Sequence, residues 1–138
     1  MARYLLDTSA LLSHYRDERG AQAVQWMFAE NTVEVLTTSV SLTEFGRRLL
    51  DLGATLPEVA EVLDYYQRLF TEVVVIDADI ARTAIVLAFN TPKRLPMVDA
   101  LIAAAAQTKA AVLVHRDEHM RHIPTNLVIL NDLDETST

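Results

Sequence analysis

Four acids stand where carboxylates can do chemistry. Asp7 ends the apolar run of "RYLLDTSALL", Glu44 lies in "TTSVSLTEFGRRL", Asp99 in "LPMVDALIAA" and Asp117 in "LVHRDEH". An acid beside apolar residues on a buried element needs a donor, a cation or a metal to offset its desolvation. Each also has a plainer role. Asp7 suits the cap of a helix starting near Thr8. "SLTE" (41–44) has the spacing of a capping box. Asp99 opens a helix, where the dipole favours it. Asp117 lies in a charged loop, where solvation is the default. Taken singly, these acids leave cap and ligand open.

Two further groups draw attention. Asp77 and Asp79, in "VVVIDADIAR", follow an apolar run, and Asp79, or else Asp77, suits the cap of the next helix. His115, His119 and His122, in "HRDEHMRH", have spacings of four and three that can bind a transition metal on a helix. That segment is short and is followed by Pro124, so solvated or hydrogen-bonded histidines are the expectation.

The elements that must carry the acids are legible in outline. Strands are expected at 3–7, 33–37, 72–77, 111–115 and 126–130, each a short run rich in apolar residues. Continuous rather than alternating apolar runs suit a parallel sheet covered on both faces. Helices are expected over 19–30, 40–52, 57–70, 79–89 and 98–110. The first carries Ala23, Val24, Trp26 and Met27, and the second Leu42, Phe45, Leu49 and Leu52. In the third, Val59, Val62, Leu63, Tyr66, Leu69 and Phe70 make a wide stripe, started by Thr55 and Glu58 at capping-box spacing. The last, "VDALIAAAAQTKA", is apolar nearly all round and should be buried. Strands alternating with helices give an α/β fold with a mainly parallel sheet of about five strands. Sites in such sheets form at the carboxyl ends of strands, and right-handed crossovers can bring the four acids to one edge.

The 138 residues suit one domain, expected over 1–131 with a polar tail at 132–138. Half the residues (51%) are hydrophobic, and glycine and proline are few, which is a folded composition. The absence of cysteine excludes disulfides and thiolate chemistry and accommodates a reducing compartment. No signal peptide or membrane span is read, so a cytoplasmic, soluble protein is expected. The net charge of −7 argues against a general nucleic-acid coat protein. It leaves room for a nuclease, whose carboxylate site becomes locally positive once filled with divalent cations.

In order and spacing, three blocks resemble the PIN-domain ribonucleases, specifically the VapC-type toxins of toxin–antitoxin pairs. They are "LLDTSALL", "TSVSLTEFGRRL" and "LPMVDALIAAAAQTKAAVLVHRDEHMRHIP", and the match extends over roughly residues 3 to 130. The resemblance implies a PIN-like three-layer sandwich and divalent-metal-dependent cleavage of RNA phosphodiester bonds. It implies that Asp7, Glu44, Asp99 and Asp117 are catalytic and hold Mg²⁺ or Mn²⁺, with Thr8 or Ser9 supporting the site. Two positions depart from the family pattern. His115 stands where a Thr or Ser is usual two residues before the last acid, and Met120 where an aromatic is common. Both touch the loop of Asp117, where Glu118 could share the task. A VapB-type antitoxin and a homodimer are implied as partners, with no membrane.

RNA must still approach an acidic protein. Arg47 and Arg48 follow Glu44, Lys93 and Arg94 precede Asp99, and Arg116 adjoins Asp117. Arg116, Arg94 and Arg48 are candidates for phosphate contacts. The stripe at 57–70, with Tyr65, Tyr66, Leu69 and Phe70, offers a face for the antitoxin or a second copy, or else only core. The alternative function is a PIN-like module that binds RNA or a partner without cleaving. A phospho-receiver domain would need a Lys where "AVLVH" has His.

Overall fold

A computed structural model describes residues 1–135 of the chain. Its centre is a five-stranded sheet, parallel throughout, with strands Ala2–Leu6 (β1), Val33–Thr38 (β2), Glu72–Val74 (β3), Val112–His115 (β4) and Leu130–Asp132 (β5), in the order β3-β2-β1-β4-β5. Helices Thr8–Tyr15 (α1), Ala21–Ala29 (α2), Ser39–Asp51 (α3), Leu56–Leu69 (α4), Ala78–Asn90 (α5) and Met97–Thr108 (α6) connect them. A 3-10 turn, Glu118–His122, follows β4.

Neighbouring residues on each inner strand face opposite ways, so each strand feeds two cores. Leu5, Leu36 and Leu113 pack with Ile80, Leu87 and the Ala103–Ala106 run of α5 and α6. Leu6, Val35 and Val114 pack with Leu11, Val24, Phe45 and Tyr66 of α1–α4. Both faces are covered, which is why the strands read as unbroken apolar runs and why the fold is a three-layer α/β sandwich.

Local chemistry sets the boundaries. α4 starts at a capping box in which Thr55 accepts from the Glu58 N–H and Glu58 accepts from the Thr55 N–H. Asp77 caps α5 by accepting from the Ile80 N–H, with Asp79 in the first turn. The α3 cap is Thr38, which accepts from the Ser41 N–H, so Glu44 is not part of a capping box. α3 closes in a Schellman turn, with Gly53 at φ +102° and the Ala54 N–H donating to the Leu49 carbonyl.

Two strands differ from the sequence expectation. Of the run expected as a strand at 126–130, only Leu130 joins β5; residues 126–128 lie in a turn after Pro124, with the Leu127 and Val128 N–H groups donating to the Pro124 carbonyl. Val128 is buried there as a plug, and pairing starts only at Leu130. An apolar turn that fills a core has the same sequence signature as a buried strand. β3 ends at Val74, because it is an edge strand paired only with β2 and Val75 already faces solvent. Residues 132–135, expected within a polar tail, contribute the end of β5, the fully buried Leu133 and the ion-paired Asp134. The rest of that stretch, 136–138, lies outside the described residues. Trp26, expected on the buried side of its helix, is half exposed, while Val24 and Met27 are buried. In the stripe at 57–70, Tyr66 and Phe70 are core, whereas Tyr65 is half exposed.

Candidate functional site

The chain runs from β1 outward through β2 to β3, then returns to the other side of β1 to form β4 and β5. The order therefore reverses between β1 and β4, and the crevice beyond their carboxyl ends is where such sheets bind ligands. Asp7 is the first residue past β1, and Asp117 stands two residues past β4. Asp99 is in the first turn of α6 and Glu44 in the second turn of α3. Four separate elements thus deliver the four acids to one edge.

Asp7 sits deepest, at 2% exposure. It is also the N-cap of α1, the plainer role the sequence offered for it. Its Oδ1 accepts from the Ala10 N–H (2.8 Å) and from the Ser9 hydroxyl (2.7 Å). Among the described residues no hydrogen bond reaches Oδ2. Burial pushes the Asp7 carboxyl up from 3.8 to about 7 against those two donors, and the charges of Asp117 and Asp99 push it further the same way. Asp99, with its side chain 14% exposed, is likewise raised to about 7, first by burial and then by Asp117 and Glu44, with His119 opposing. These mutual effects place the four carboxylates in one electrostatic cluster.

Hydroxyls tie the acids to the frame. The Thr8 hydroxyl donates to Glu44 Oε1 at 2.5 Å, which links α1 to α3. Ser9 accepts from the Arg116 N–H at 2.8 Å while donating to Asp7, so one hydroxyl joins the first acid to the loop of the fourth. His115, at the position where a hydroxyl residue was expected, is fully buried. Its Nδ1 accepts from the Asp117 N–H at 3.3 Å, so the ring helps turn the chain toward the fourth acid. Burial holds the imidazole below its ordinary range and therefore neutral, and its Nε2 has no hydrogen-bond partner among the described residues.

One histidine is both half exposed and hydrogen-bonded, as expected, and its bond partner is one of the four acids. His119, read as solvated or hydrogen-bonded, has its Nδ1 3.0 Å from Asp117 Oδ1 and 3.8 Å from Asp99 Oδ2. Asp99, Asp117 and His119 each offer a ligand atom within 4.8 Å of the others'. The spacing of the histidines was visible; that only His119 would meet the acids depends on the 3-10 turn. Glu118 is exposed and lies outside that trio.

The basic candidates separate. Arg48 lines a polar hollow with Ser9, Ser13, Arg16 and Arg116. It also lines a second hollow beside Glu44, Arg47 and Asp51. Arg116 pairs with Asp134 at 2.8 Å and with Glu18 at 3.6 Å. Arg94 lines an apolar cleft of about 640 Å³ between α5 and α6 that contains none of the four acids.

The PIN domain family model matches residues 4–126. The chain belongs to the PIN domain family. Among solved structures, this PIN domain is similar to VapBC2 from Rickettsia felis bound to a promoter DNA fragment (18% identity, TM-score 0.73, covering 94% of this chain and 98% of that one). It is similar to VapBC-1 from nontypeable Haemophilus influenzae (12%, 0.75, 96% and 99%). It is also similar to VapBC-5, a toxin–antitoxin system from Mycobacterium tuberculosis (23%, 0.66, 96% and 99%). At these identities the likeness establishes the shared fold. A search of curated proteins gives no match.

Proposed function

We propose that this PIN domain is a divalent-metal-dependent endoribonuclease, the VapC-type toxin of a toxin–antitoxin pair. The observation that carries the reading is the convergence of Asp7, Glu44, Asp99 and Asp117 at the switch point between β1 and β4. Two of these carboxyls are held at about 7 by burial and by each other, a strain that a divalent cation would relieve. The donor set fits Mg²⁺ or Mn²⁺, which take carboxylate oxygens. Asp7, Asp99 and Asp117 would hold the ion, and Glu44 would bind through water or orient the attacking water. A bound ion would supply an acidified water and stabilise charge on the phosphate.

The chain's own residues do the positioning. Thr8 fixes one oxygen of Glu44, and Ser9 fixes Asp7 against the loop of Asp117. The hollow with Ser9, Arg16, Arg48 and Arg116, reached from the site through the Ser9–Asp7 hydrogen bond, offers cations for RNA phosphates; Arg48 is the better candidate, because Arg16 and Arg116 are engaged by the Glu18 and Asp134 that also line it. Similarity to VapBC complexes supports a VapB-type antitoxin as partner. Pairing with a second copy and a cytoplasmic setting belong to the same reading. Exposed Ile85, Phe89 and Met97 near the α5–α6 cleft leave apolar surface for a protein partner. Among the described residues no helix is long and apolar enough to cross a membrane.

Incubating the purified chain with RNA tests the reading. Cleavage is expected in Mg²⁺ or Mn²⁺, none in chelator, and a loss of at least about a hundredfold in Asp99→Asn. Full activity in that variant would remove Asp99 from the site.

A further inference from the structure

We propose that His119 is a nitrogen ligand of the same metal centre and biases it toward first-row transition cations over Mg²⁺. The inference rests on the metal-centre reading above and adds a residue to it. Adjacent ligands of an octahedral ion bound at about 2.1 Å stand roughly 3 Å apart. His119 Nδ1 shares a hydrogen bond with Asp117 Oδ1 at 3.0 Å and lies 3.8 Å from Asp99 Oδ2, and the three ligand atoms stand within 4.8 Å of one another, so an ion that displaces the shared proton finds two of the three pairs near ligand spacing.

The backbone favours this placement. Asp117 caps the 3-10 turn, and its Oδ1 accepts from the His119 N–H at 2.9 Å. The same bond that starts the turn holds the imidazole over the two acids. The chemistry then differs from an all-carboxylate site. Mg²⁺ prefers hard oxygen ligands and keeps much of its water, whereas imidazole suits transition cations, with affinity rising from Mn²⁺ toward Co²⁺. Replacing one oxygen donor by His119 therefore shifts the preference without excluding Mg²⁺. The histidine is half exposed, so a loaded site would stay open to substrate on that side.

The rival account is that the imidazole merely stands in the cation's place between the two acids. The accounts predict opposite signs. Titration calorimetry with Mg²⁺, Mn²⁺ and Co²⁺ on wild type and His119→Ala separates them, with pulsed EPR of the Mn²⁺ complex reporting nitrogen ligation. We expect His119→Ala to weaken Mn²⁺ and Co²⁺ by about tenfold or more and Mg²⁺ by less than about threefold, the scale on which outer partners already act. The histidine nitrogen signal should disappear. Unchanged or tighter binding of all three cations, or no nitrogen signal in wild type, would overturn the inference. An equal loss for all three would overturn the selectivity. Mn²⁺ binding that survives Asp99→Asn would instead sink the metal-centre reading on which it rests.

Discussion

At the residue scale, Asp7 combines two roles that the sequence set against each other. Its Oδ1 caps α1, and its burial against Asp99 and Asp117 makes it costly to ionise. Below about pH 4 the carboxyl is protonated in both the folded and unfolded chain. Between about 4 and 7 the metal-free folded chain keeps protons that the unfolded chain has released. Metal-free stability therefore falls as pH rises through that window and levels off above it. Asp7→Asn keeps the shape and the cap but removes the charge. Thermal unfolding in chelator at pH 8 should show the variant more stable than wild type, by roughly 1–3 kcal/mol, and the gain should shrink at pH 5. A variant less stable at pH 8 would mean that Asp7 is not strained. Position alone left each of the four acids open between cap, surface and ligand; the family resemblance singled them out as a set. His119 was not singled out, because a histidine spacing does not say which ring will meet Asp99 and Asp117.

At the element scale, two left-handed residues make a paired prediction. Ala110 closes α6 in a Schellman turn at φ +52°, with the Ala111 N–H donating to the Ala106 carbonyl. That region costs an L-residue roughly 1–2 kcal/mol, so Ala110→Gly should raise the melting temperature. Gly20, at φ +91°, precedes α2, and a Cβ there would stand 2.8 Å from Leu133 Cβ. Gly20→Ala should therefore lower stability by about 2–4 kcal/mol, adding overlap to backbone strain. Denaturant melts of both variants check the pair, and like-signed shifts would contradict it. The helices at α3 and α4 were readable from their 3.6-residue stripes and α6 from its unbroken apolar run, whereas α1 was signalled only by a cap at Asp7. The Thr38 cap was harder to read, since "SLTE" offered an equally good local signal and only the end of β2 decides between them. The fifth strand was misplaced because Val128 is buried whether its segment pairs or turns.

At the scale of the whole molecule, a chain of net charge −7 gathers four acids at one edge. Cations that bind only the folded state stabilise it by mass action. Millimolar Mg²⁺ or Mn²⁺ should raise the melting temperature more at pH 8, where Asp7 and Asp99 are mostly ionised, than at pH 5, where protons compete for them. Equal shifts at both pH values would point to binding elsewhere. The parallel α/β class was readable from the whole chain, since apolar runs alternate with helical stripes. The strand order, and hence the switch point that joins Asp7 to Asp117, comes from long-range pairing that no local pattern encodes. The proposed activity of this site is cleavage of RNA. Mapping RNA ends after inducing wild type and Asp7→Asn in cells tests it most directly. Discrete new ends with wild type and none with the variant are predicted; the same ends from both, or none from a folded wild-type chain free of antitoxin, would contradict the account.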